Sequence, residues 1–305
     1  MTSRSLPTRV GLRARSTRGR PRSSPTTLGV ILPLLNAASA HTSVSTPLPA
    51  EFLAIDAGNT RVKFGRFTYG PHDVLPVCVA SGHVMCGQTL PAAAFATSVT
   101  GPLTAVLSGS NPPEIDRLAT SWPEGWPSLA VVNDRSKFPI EIQVDVPERV
   151  GLDRLLNAIA AQRLRQNNQP VVIVDSGTAV TVDYVDRRGA FIGGAILPGI
   201  GMGARALHRY TAMLPLLDAP GIAAAAPEPI GRNTIAAMTS GLYWGHVGAV
   251  CELTRRMVQA DPGDPPRLML VTGGAGAVVS PHLDRSQEWP FLPLQGLILA
   301  HLAAH

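Results

Sequence analysis

The chain contains two copies of a pattern in which a short apolar run ends in Asp-x-Gly and an alternating strand pattern follows. The first copy holds Asp56 and Gly58, and the second holds Asp175 and Gly177, at an offset of 119 residues. Each copy opens a segment of similar size, so the pattern is an internal repeat and not a single chance match. The repeat predicts two α/β units that each begin with an antiparallel hairpin.

The polar turn of the first copy carries groups suited to binding phosphate. Gly58 allows the backbone to come close to a ligand, and Asn59 and Thr60 supply an amide and a hydroxyl for hydrogen bonds. Asp56 is suited to hydrated Mg²⁺, which prefers a carboxylate together with water and phosphate oxygens. Lys63 adds a positive charge. Taken alone, these residues are equally compatible with an ordinary hairpin turn whose lysine lies in solvent.

A helix is predicted over residues 152–166, upstream of the second copy. Apolar residues recur there with the 3.6-residue period, at positions 152, 155, 156, 159, 160 and 164. Asp153 lies in the first turn, where the helix dipole favours an ionised carboxylate, and Arg154 follows it. Asp153 is either a general base or a simple helix-start charge, and the spacing alone favours the second interpretation.

The remaining elements follow from apolar patterns and turn residues. Gly199, Gly201 and Gly203 have the wrong spacing for a dinucleotide-binding fingerprint, and a proline precedes them, so dinucleotide binding at these glycines is rejected.

The predicted strands cover 74–80, 103–108, 129–132, 171–174, 179–184, a stretch from 191 and 268–272. The last strand ends in Gly273-Gly274, where the backbone could approach an adenosine. The predicted helices cover 114–120, 204–217, a long segment from Thr234, its expected cap, through 257, and 294–303.

Charge and cysteine content exclude some functions. Residues 1–50 contain seven Arg and no Asp or Glu; removing these seven from the 26 basic side chains leaves 19 against 21 acidic ones. The body is therefore mildly acidic, and the high pI does not indicate a nucleic-acid-binding surface. No apolar run reaches the roughly 18–20 residues that span a bilayer. The three cysteines lack metal-ligand spacing and indicate free thiols in a reducing compartment.

Residues 1–50 are expected to form a basic, disordered extension, because Arg, Ser, Thr and Pro dominate them. Three alternatives stay open for this segment: an upstream start site, a targeting peptide, since residues 28–40 resemble a signal peptide's apolar core and cleavage site, or a basic interaction arm. The predicted domain organisation is this extension, a first domain over 51–168 and a second over 169–305.

Five motifs together resemble the type III pantothenate kinases, a family within the actin, sugar-kinase and Hsp70 superfamily. They occur in the family's order and spacing and are Asp56-x-Gly-Asn-Thr60-x-x-Lys63, Gly151-x-Asp153-Arg154, Asp175-x-Gly-Thr178, Gly193-Gly194-x-Ile-x-Pro198-Gly199 and Gly231-x-x-Thr234. The resemblance covers about 51–305. It implies two ribonuclease-H-like domains that close over ATP, and phosphorylation of pantothenate in the first committed step of coenzyme A synthesis.

The resemblance also implies a role for each matched residue. ATP phosphates and Mg²⁺ would be held by the first loop, with Thr178 as a further ATP contact; the loop comprises Asp56, Ala57, Gly58, Asn59, Thr60, Arg61, Val62 and Lys63. Pantothenate would be bound by Gly151, Leu152, Asp153 and Arg154, with Asp153 as the base and Thr234 touching the substrate. Asp175 would hold a monovalent cation, K⁺ or NH₄⁺. The resemblance further implies a cytoplasmic homodimer, with no nucleic-acid partner and no membrane association.

One position departs from the family pattern. The family usually has a tyrosine seven residues before the glycine of Gly-x-Asp-Arg, packed on the substrate, and this chain has Val144 there. Loss of this aromatic wall is expected to weaken or reshape substrate contact without removing the chemistry. Two rival functions stay open: another small-molecule kinase of the superfamily, and a non-catalytic regulatory accessory factor that has lost its activity.

Overall fold

Each half of the chain opens with an antiparallel hairpin whose turn carries one copy of the Asp-x-Gly pattern. In the computed structural model, which describes residues 50–91, 103–261 and 267–305, Asp56 pairs with Lys63 across the first hairpin. Asp175 pairs with Thr181 across the second. The structure therefore confirms both predicted hairpins.

Two five-stranded mixed sheets are built on these hairpins. The first contains β1 (Ala50–Ala57), β2 (Arg61–Tyr69), β3 (Val77–Met85), β4 (Leu103–Gly109) and β5 (Leu129–Val131) in the order β3-β2-β1-β4-β5. The second contains β6 (Val171–Ser176), β7 (Ala179–Val185), β8 (Phe191–Pro198), β9 (Leu268–Thr272) and β10 (Ser286–Glu288) in the order β10-β9-β6-β7-β8. Both sheets thus consist of a three-stranded antiparallel meander whose first strand is extended by two parallel strands.

This shared strand order confirms the predicted α/β fold of two ribonuclease-H-like units. The helices of the described residues are α1 (Pro112–Thr120), α2 (Leu152–Leu164), α3 (Ile200–Tyr210), α4 (Ala219–Ala223), α5 (Thr234–Ala260), α6 (Gly276–Val279) and α7 (Leu292–Ala303).

The apolar faces of these elements pack into three clusters. In the central cluster α2 and α7 lie between the two sheets, where Leu155, Leu156 and Ile298 are fully or almost fully buried. A second cluster covers the other face of the second sheet with α3 and α5. A third covers the other face of the first sheet with α1. Burial of α2 on both sheets fixes the position of its N-terminus, where Asp153 lies.

Several predicted boundaries move in the structure. β3 begins three residues later than predicted and extends to Met85. α3 begins at Ile200 and ends at Tyr210, because Gly199 serves as its N-cap and Thr211 is extended. The cap predicted at Thr234 is wrong, since the side chain of Asn233 accepts the Ala236 N–H and Thr234 is the first helical residue. The short elements α4, α6 and β10 were not predicted.

The domain boundary at 168/169 falls between α2 and β6 and stays a prediction. The predictions for residues 1–49 lie outside the described residues. Within the part of the chain that the structure describes, no helix is long and apolar enough to cross a membrane.

Candidate active site

The first loop is held in place by the segment that follows β4 and by the end of β3. The Gly58 N–H donates to the carbonyl oxygen of Arg61 at 3.1 Å, which closes the turn. The backbone N–H groups of Ser110 and Asn111 both donate to the Ala57 carbonyl oxygen at 3.1 Å. The Asn111 amide and the Cys86 thiol donate to the Gly58 carbonyl oxygen, each at 3.2 Å. These contacts leave the backbone of the loop little freedom.

The two loops of the repeat meet each other. The hydroxyl oxygens of Thr60 and Thr178 lie 3.2 Å apart, within hydrogen-bond distance. Asp56 and its strand partner Lys63 are seven positions apart, whereas Asp175 and its partner Thr181 are six apart, so the second loop is one residue shorter. The offset between equivalent residues of the two copies is therefore 119 residues up to Gly58 and Gly177 and 118 residues after them. Thr60 and Thr178 are 118 residues apart and so occupy equivalent positions. The structure thus brings the two phosphate-loop candidates to one place.

Asp56 is a buried carboxylate with an unsatisfied oxygen. The residue is 6% exposed, and its Oδ1 has no hydrogen-bond partner among the described residues. Burial raises the pKa of Asp56 from its ordinary 3.8 to about 6, the positive charge of Lys63 opposes this, and the carboxylates of Asp153 and Asp175 add to it. A buried oxygen of this kind fits a cation, since a positive charge would offset the desolvation of the carboxylate.

Asp153 lies in the first turn of α2, as the sequence predicted. Its Oδ1 accepts the backbone N–H of Arg154 at 2.9 Å. Burial and then the nearby Asp175 carboxylate raise the pKa of Asp153, while the Arg154 N–H and guanidinium oppose the rise. A Cβ built on Gly151 would lie 2.5 Å from this Oδ1, so the glycine leaves the space that the carboxylate occupies.

Arg154 is bound to a carboxylate that sequence reasoning missed. Its Nε donates to Oδ1 of Asp183 at 2.9 Å, and Nη2 of the same guanidinium also contacts Oδ1. Asp183 lies on β7 with no exposed surface, and its burial raises its pKa against the opposing effect of Arg154. The guanidinium also lies 5.4 Å from the centre of the Phe191 ring. Asp183 and Phe191 therefore fix the direction of the Arg154 side chain.

Asp175 is connected to α2 and to the Gly-Gly loop after β9. Its Oδ2 accepts the Asn157 amide at 3.0 Å, and Asn157, one helical turn after Asp153, is 1% exposed. Gly273 has φ +89°, and a Cβ built there would lie 2.5 Å from Asp175 Oδ1. The sequence carries one weak signal of the contact between Asn157 and Asp175. Asn157 is a polar residue among the apolar positions of α2.

The remaining acceptor-side residues lie before α2, at its start and at the start of α5. Leu152, the first residue of α2, is buried. Val144 is half-buried, and its Cγ1 lies 3.7 Å from the position of a Cβ on Gly193. Thr234 is exposed at the start of α5, and no hydrogen bond among the described residues joins it to α2. Within the described ranges the structure therefore shows no hydrogen bond between Thr234 and the helix that carries Asp153.

Two cavities are lined by described residues outside the Asp56–Lys63 and Asp175–Thr178 loops. One cavity of about 480 Å³ lies between the β7–β8 hairpin and the end of α5, and one of about 630 Å³ lies on α3. No group of three or more His, Cys, Asp or Glu side chains in the described ranges is arranged to hold a metal ion. A metal at Asp56 would therefore need oxygen ligands from water or a substrate.

Comparisons with known proteins give the family of the chain. The family model described as type III pantothenate kinase matches residues 52–256. A type III pantothenate kinase of Dehalococcoides mccartyi is 34% identical over 265 residues, which are 81% of this chain and 95% of that protein. Another from Rhodospirillum centenum is 34% identical over 244 residues, covering 73% of this chain and 86% of that protein.

A solved structure shares the fold. It is a protein from Campylobacter jejuni named for the Baf family of transcriptional activators, and it superposes with a TM-score of 0.50 at 16% identity over 81% of this chain and 96% of its own. At this identity the likeness concerns the fold alone. On the family model, the two relatives and the five ordered motifs, the chain belongs to the type III pantothenate kinase family.

Proposed function

We propose that this protein transfers the γ-phosphoryl group of ATP to the primary hydroxyl of pantothenate and so forms 4′-phosphopantothenate. The observation that carries the proposal is the meeting of the two loops at Thr60 and Thr178, with the carboxylates of Asp153 and Asp175 close enough to Asp56 to add to the rise of its pKa. Membership of the family supplies the reaction.

The first loop, Asp56 to Lys63, holds the phosphates of ATP. Its backbone is fixed by Ser110 and Asn111, so its N–H groups and the Thr60 hydroxyl are preorganised for phosphate oxygens. Lys63 supplies a positive charge toward the same place, and Thr178 adds a hydroxyl from the second loop. Mg²⁺, when bound with ATP at Asp56, neutralises phosphate charge.

Asp153 accepts the proton of the attacking hydroxyl. In this step the pantothenate oxygen forms a bond to the γ-phosphorus, the bond to the bridging oxygen of ADP breaks, and the hydroxyl proton moves to an Asp153 oxygen. The raised pKa of Asp153 makes it a stronger base than an exposed aspartate. Little covalent work is required, because positioning and charge neutralisation do most of the catalysis in phosphoryl transfer.

Arg154 and its surroundings form the acceptor side. The guanidinium is fixed by Asp183, so it offers a positive charge at a defined place to the carboxylate of pantothenate or to the developing phosphate charge. Gly151 and Leu152 shape the pocket next to it, and Val144 with Gly193 forms a wall of smaller volume than a tyrosine would give.

A monovalent cation, K⁺ or NH₄⁺, binds at Asp175. The support is the chemistry of the site, where Asp175 supplies carboxylate oxygens as ligands. Its Oδ1 lies so close to the Gly273 backbone that no side chain fits at position 273. The positive charge would also reduce the mutual repulsion of Asp175 and Asp153.

The active form is a homodimer in the cytoplasm. Large apolar side chains are exposed on α3, on the segment after it and around the start of α5, namely Tyr210 (80%), Met213 (89%), Leu216 (57%), Ile230 (81%) and Ile235 (56%). Large apolar side chains exposed in this number on neighbouring segments are typical of a subunit interface. Thr234 lies within it, so a dimer would let Thr234 reach the pantothenate of the neighbouring subunit. All three cysteines are free thiols, as in a reducing compartment.

One assay tests the proposed activity. Purified protein is incubated with Mg²⁺ and ATP, and ADP release is followed with pantothenate or with a panel of hexoses, in K⁺ or in Na⁺. We expect ADP release with pantothenate only, and faster in K⁺. Turnover of a hexose would favour the rival kinase, while DNA binding without any turnover would favour the accessory factor.

A second measurement tests the dimer. Light scattering on the eluted protein gives its mass, and Met213→Asp places a charge in the exposed apolar surface. We expect twice the mass of the 32.1 kDa chain for the parent protein and a monomer of low activity for the variant. Full activity in a monomer would contradict the role given to Thr234.

A further inference from the structure

Ser176 is the residue at which the second phosphate loop and the Gly-Gly loop join. It stands between Asp175 and Gly177 and has no exposed surface. Its carbonyl oxygen accepts the Ala275 N–H at 2.9 Å. A Cβ on Gly273 would lie 2.6 Å from the same carbonyl, so the two loops are in direct backbone contact. A displacement of Ser176 would therefore move both loops.

The side chain of Ser176 is bound by a buried histidine that the mechanism above does not use. Ser176 Oγ lies 3.0 Å from His246 Nε2. His246 is 6% exposed, and its Nδ1 has no hydrogen-bond partner among the described residues. Burial lowers the pKa of His246, which keeps the imidazole neutral, so the ring and the hydroxyl share one hydrogen bond.

The histidine stands on a rigid support. It lies on α5, whose neighbouring side chains Tyr243, Val247 and Val250 pack against the second sheet with at most 6% exposure. A side chain fixed in this way can hold a loop residue within a few tenths of an ångström, whereas a surface side chain cannot.

We propose that His246 is a positioning residue that holds Ser176, and with it the Asp175–Thr178 loop, in the conformation that receives the phosphates of ATP. The proposal rests on the assignment of this loop to ATP. His246 itself touches neither ATP nor pantothenate. Its effect should therefore fall on ATP affinity and leave pantothenate affinity unchanged.

The test compares the Kd for ATP, measured by calorimetry with Mg²⁺ and without pantothenate, in the parent protein, H246L, H246Q, S176A and the double variant H246L/S176A. Loss of one hydrogen bond predicts about fivefold weaker ATP binding in H246L and in S176A. H246Q, whose amide can reach the place of Nε2, should restore most of the affinity. The double variant should be no weaker than either single variant, because both remove the same contact.

T254V is the matched control. Thr254 is likewise a buried polar residue of α5, 6% exposed, but its hydroxyl has no hydrogen-bond partner among the described residues. Its substitution should leave the Kd for ATP unchanged, and the KM for pantothenate should stay within about twofold of the parent value in all variants.

The outcomes separate this role from the proposed function. An unchanged Kd in S176A and H246L, additive losses in the double variant, or an equal loss in T254V would each overturn the positioning role. If H246L does not fold, the Kd of S176A alone decides the question. S176A removes a single oxygen atom and is therefore expected to fold. A parent protein that binds ATP but does not phosphorylate pantothenate would contradict the proposed function, and the Kd comparison would still decide the role of His246.

Discussion

The hydroxyls of Thr60 and Thr178 lie 3.2 Å apart although 118 residues separate them. They occupy equivalent positions in the two hairpins, so the contact is a pseudo-symmetric one between the turns of two similar units. Under the proposed function, phosphate groups bound by one loop would therefore be within reach of the other.

Asp153→Asn should lower kcat by about 10²- to 10⁴-fold, because the amide cannot accept the hydroxyl proton. The KM for ATP should change little, since Asp153 is assigned to the acceptor side. Steady-state kinetics with each substrate varied in turn measures both values. Asp116→Asn, at an exposed position of α1, is the control for the same chemical change. Unchanged turnover in Asp153→Asn would remove Asp153 as the base.

Asp56→Asn should abolish activity and stabilise the protein in the absence of ATP and Mg²⁺. The pKa of Asp56 is raised by burial from 3.8 to about 6, so the folded state binds the proton more tightly than the unfolded state does. Its contribution to the free energy of unfolding is therefore present below pH 3.8 and is lost as the pH rises from about 4 to 6. The difference between these two pKa values corresponds to about 3 kcal/mol in the free energy of unfolding at pH 7.

Urea unfolding at pH 4, 5, 6 and 7 checks this prediction. The parent protein should lose stability relative to Asp56→Asn across that range, and the difference should be largest at pH 7. An Asp56→Asn variant that is less stable than the parent at pH 7 would contradict the burial of an uncompensated carboxylate.

Gly151→Ala should reduce kcat without preventing folding. The backbone of Gly151, with φ −56° and ψ 135°, suits any residue, but the added Cβ would lie 2.5 Å from Asp153 Oδ1. The carboxylate must turn away, and a displacement of about 1 Å is worth up to about 100-fold in rate. Gly241→Ala is the control, because a Cβ there meets nothing within 4 Å. Equal kcat in both variants would show that the Asp153 position does not depend on Gly151.

Val144→Tyr should lower the KM for pantothenate by about two- to tenfold, as an added aromatic contact contributes about 0.5–1.5 kcal/mol. Val144 faces Gly193, where the absence of a side chain leaves room for a ring. The KM for ATP should not change. Val146→Tyr, at an exposed position two residues later, is the matched control. A higher pantothenate KM in Val144→Tyr would show that this pocket has been reshaped around valine.

The sequence was sufficient for those parts of the fold with strong periodicity. The two hairpins and α2 follow directly from apolar spacing, and α2 ends within two residues of its predicted end. β10 could not be predicted, because its residues 286–288 are polar and the strand is held only by parallel pairing with β9. α3 begins earlier than predicted, because Gly201 and Gly203, which have low intrinsic helix propensity, lie in its first turn.

In the candidate site, the motif residues could be selected from the sequence. The buried residues that bind and orient them could not. Asp183, Asn157 and His246 belong to no motif; each is a buried polar residue among mostly apolar neighbours in a strand or helix. Their partners Arg154, Asp175 and Ser176 lie between 18 and 70 residues away in the chain. Such pairs depend on tertiary packing, and only the weak signal of a polar residue at a buried position marks them in the sequence.

The last helix, α7, packs on β1 and, at Gly296, touches the backbone of Leu156 on α2 so closely that no side chain fits there. Gln295 donates to the Pro76 carbonyl oxygen across 219 residues. The central apolar face of the first sheet is therefore covered in part by a helix from the second half of the chain. During synthesis this part of the face stays uncovered until α7 has emerged, so nascent chains are exposed to aggregation at that stage, and deletion of α7 would harm the half of the protein that is made first.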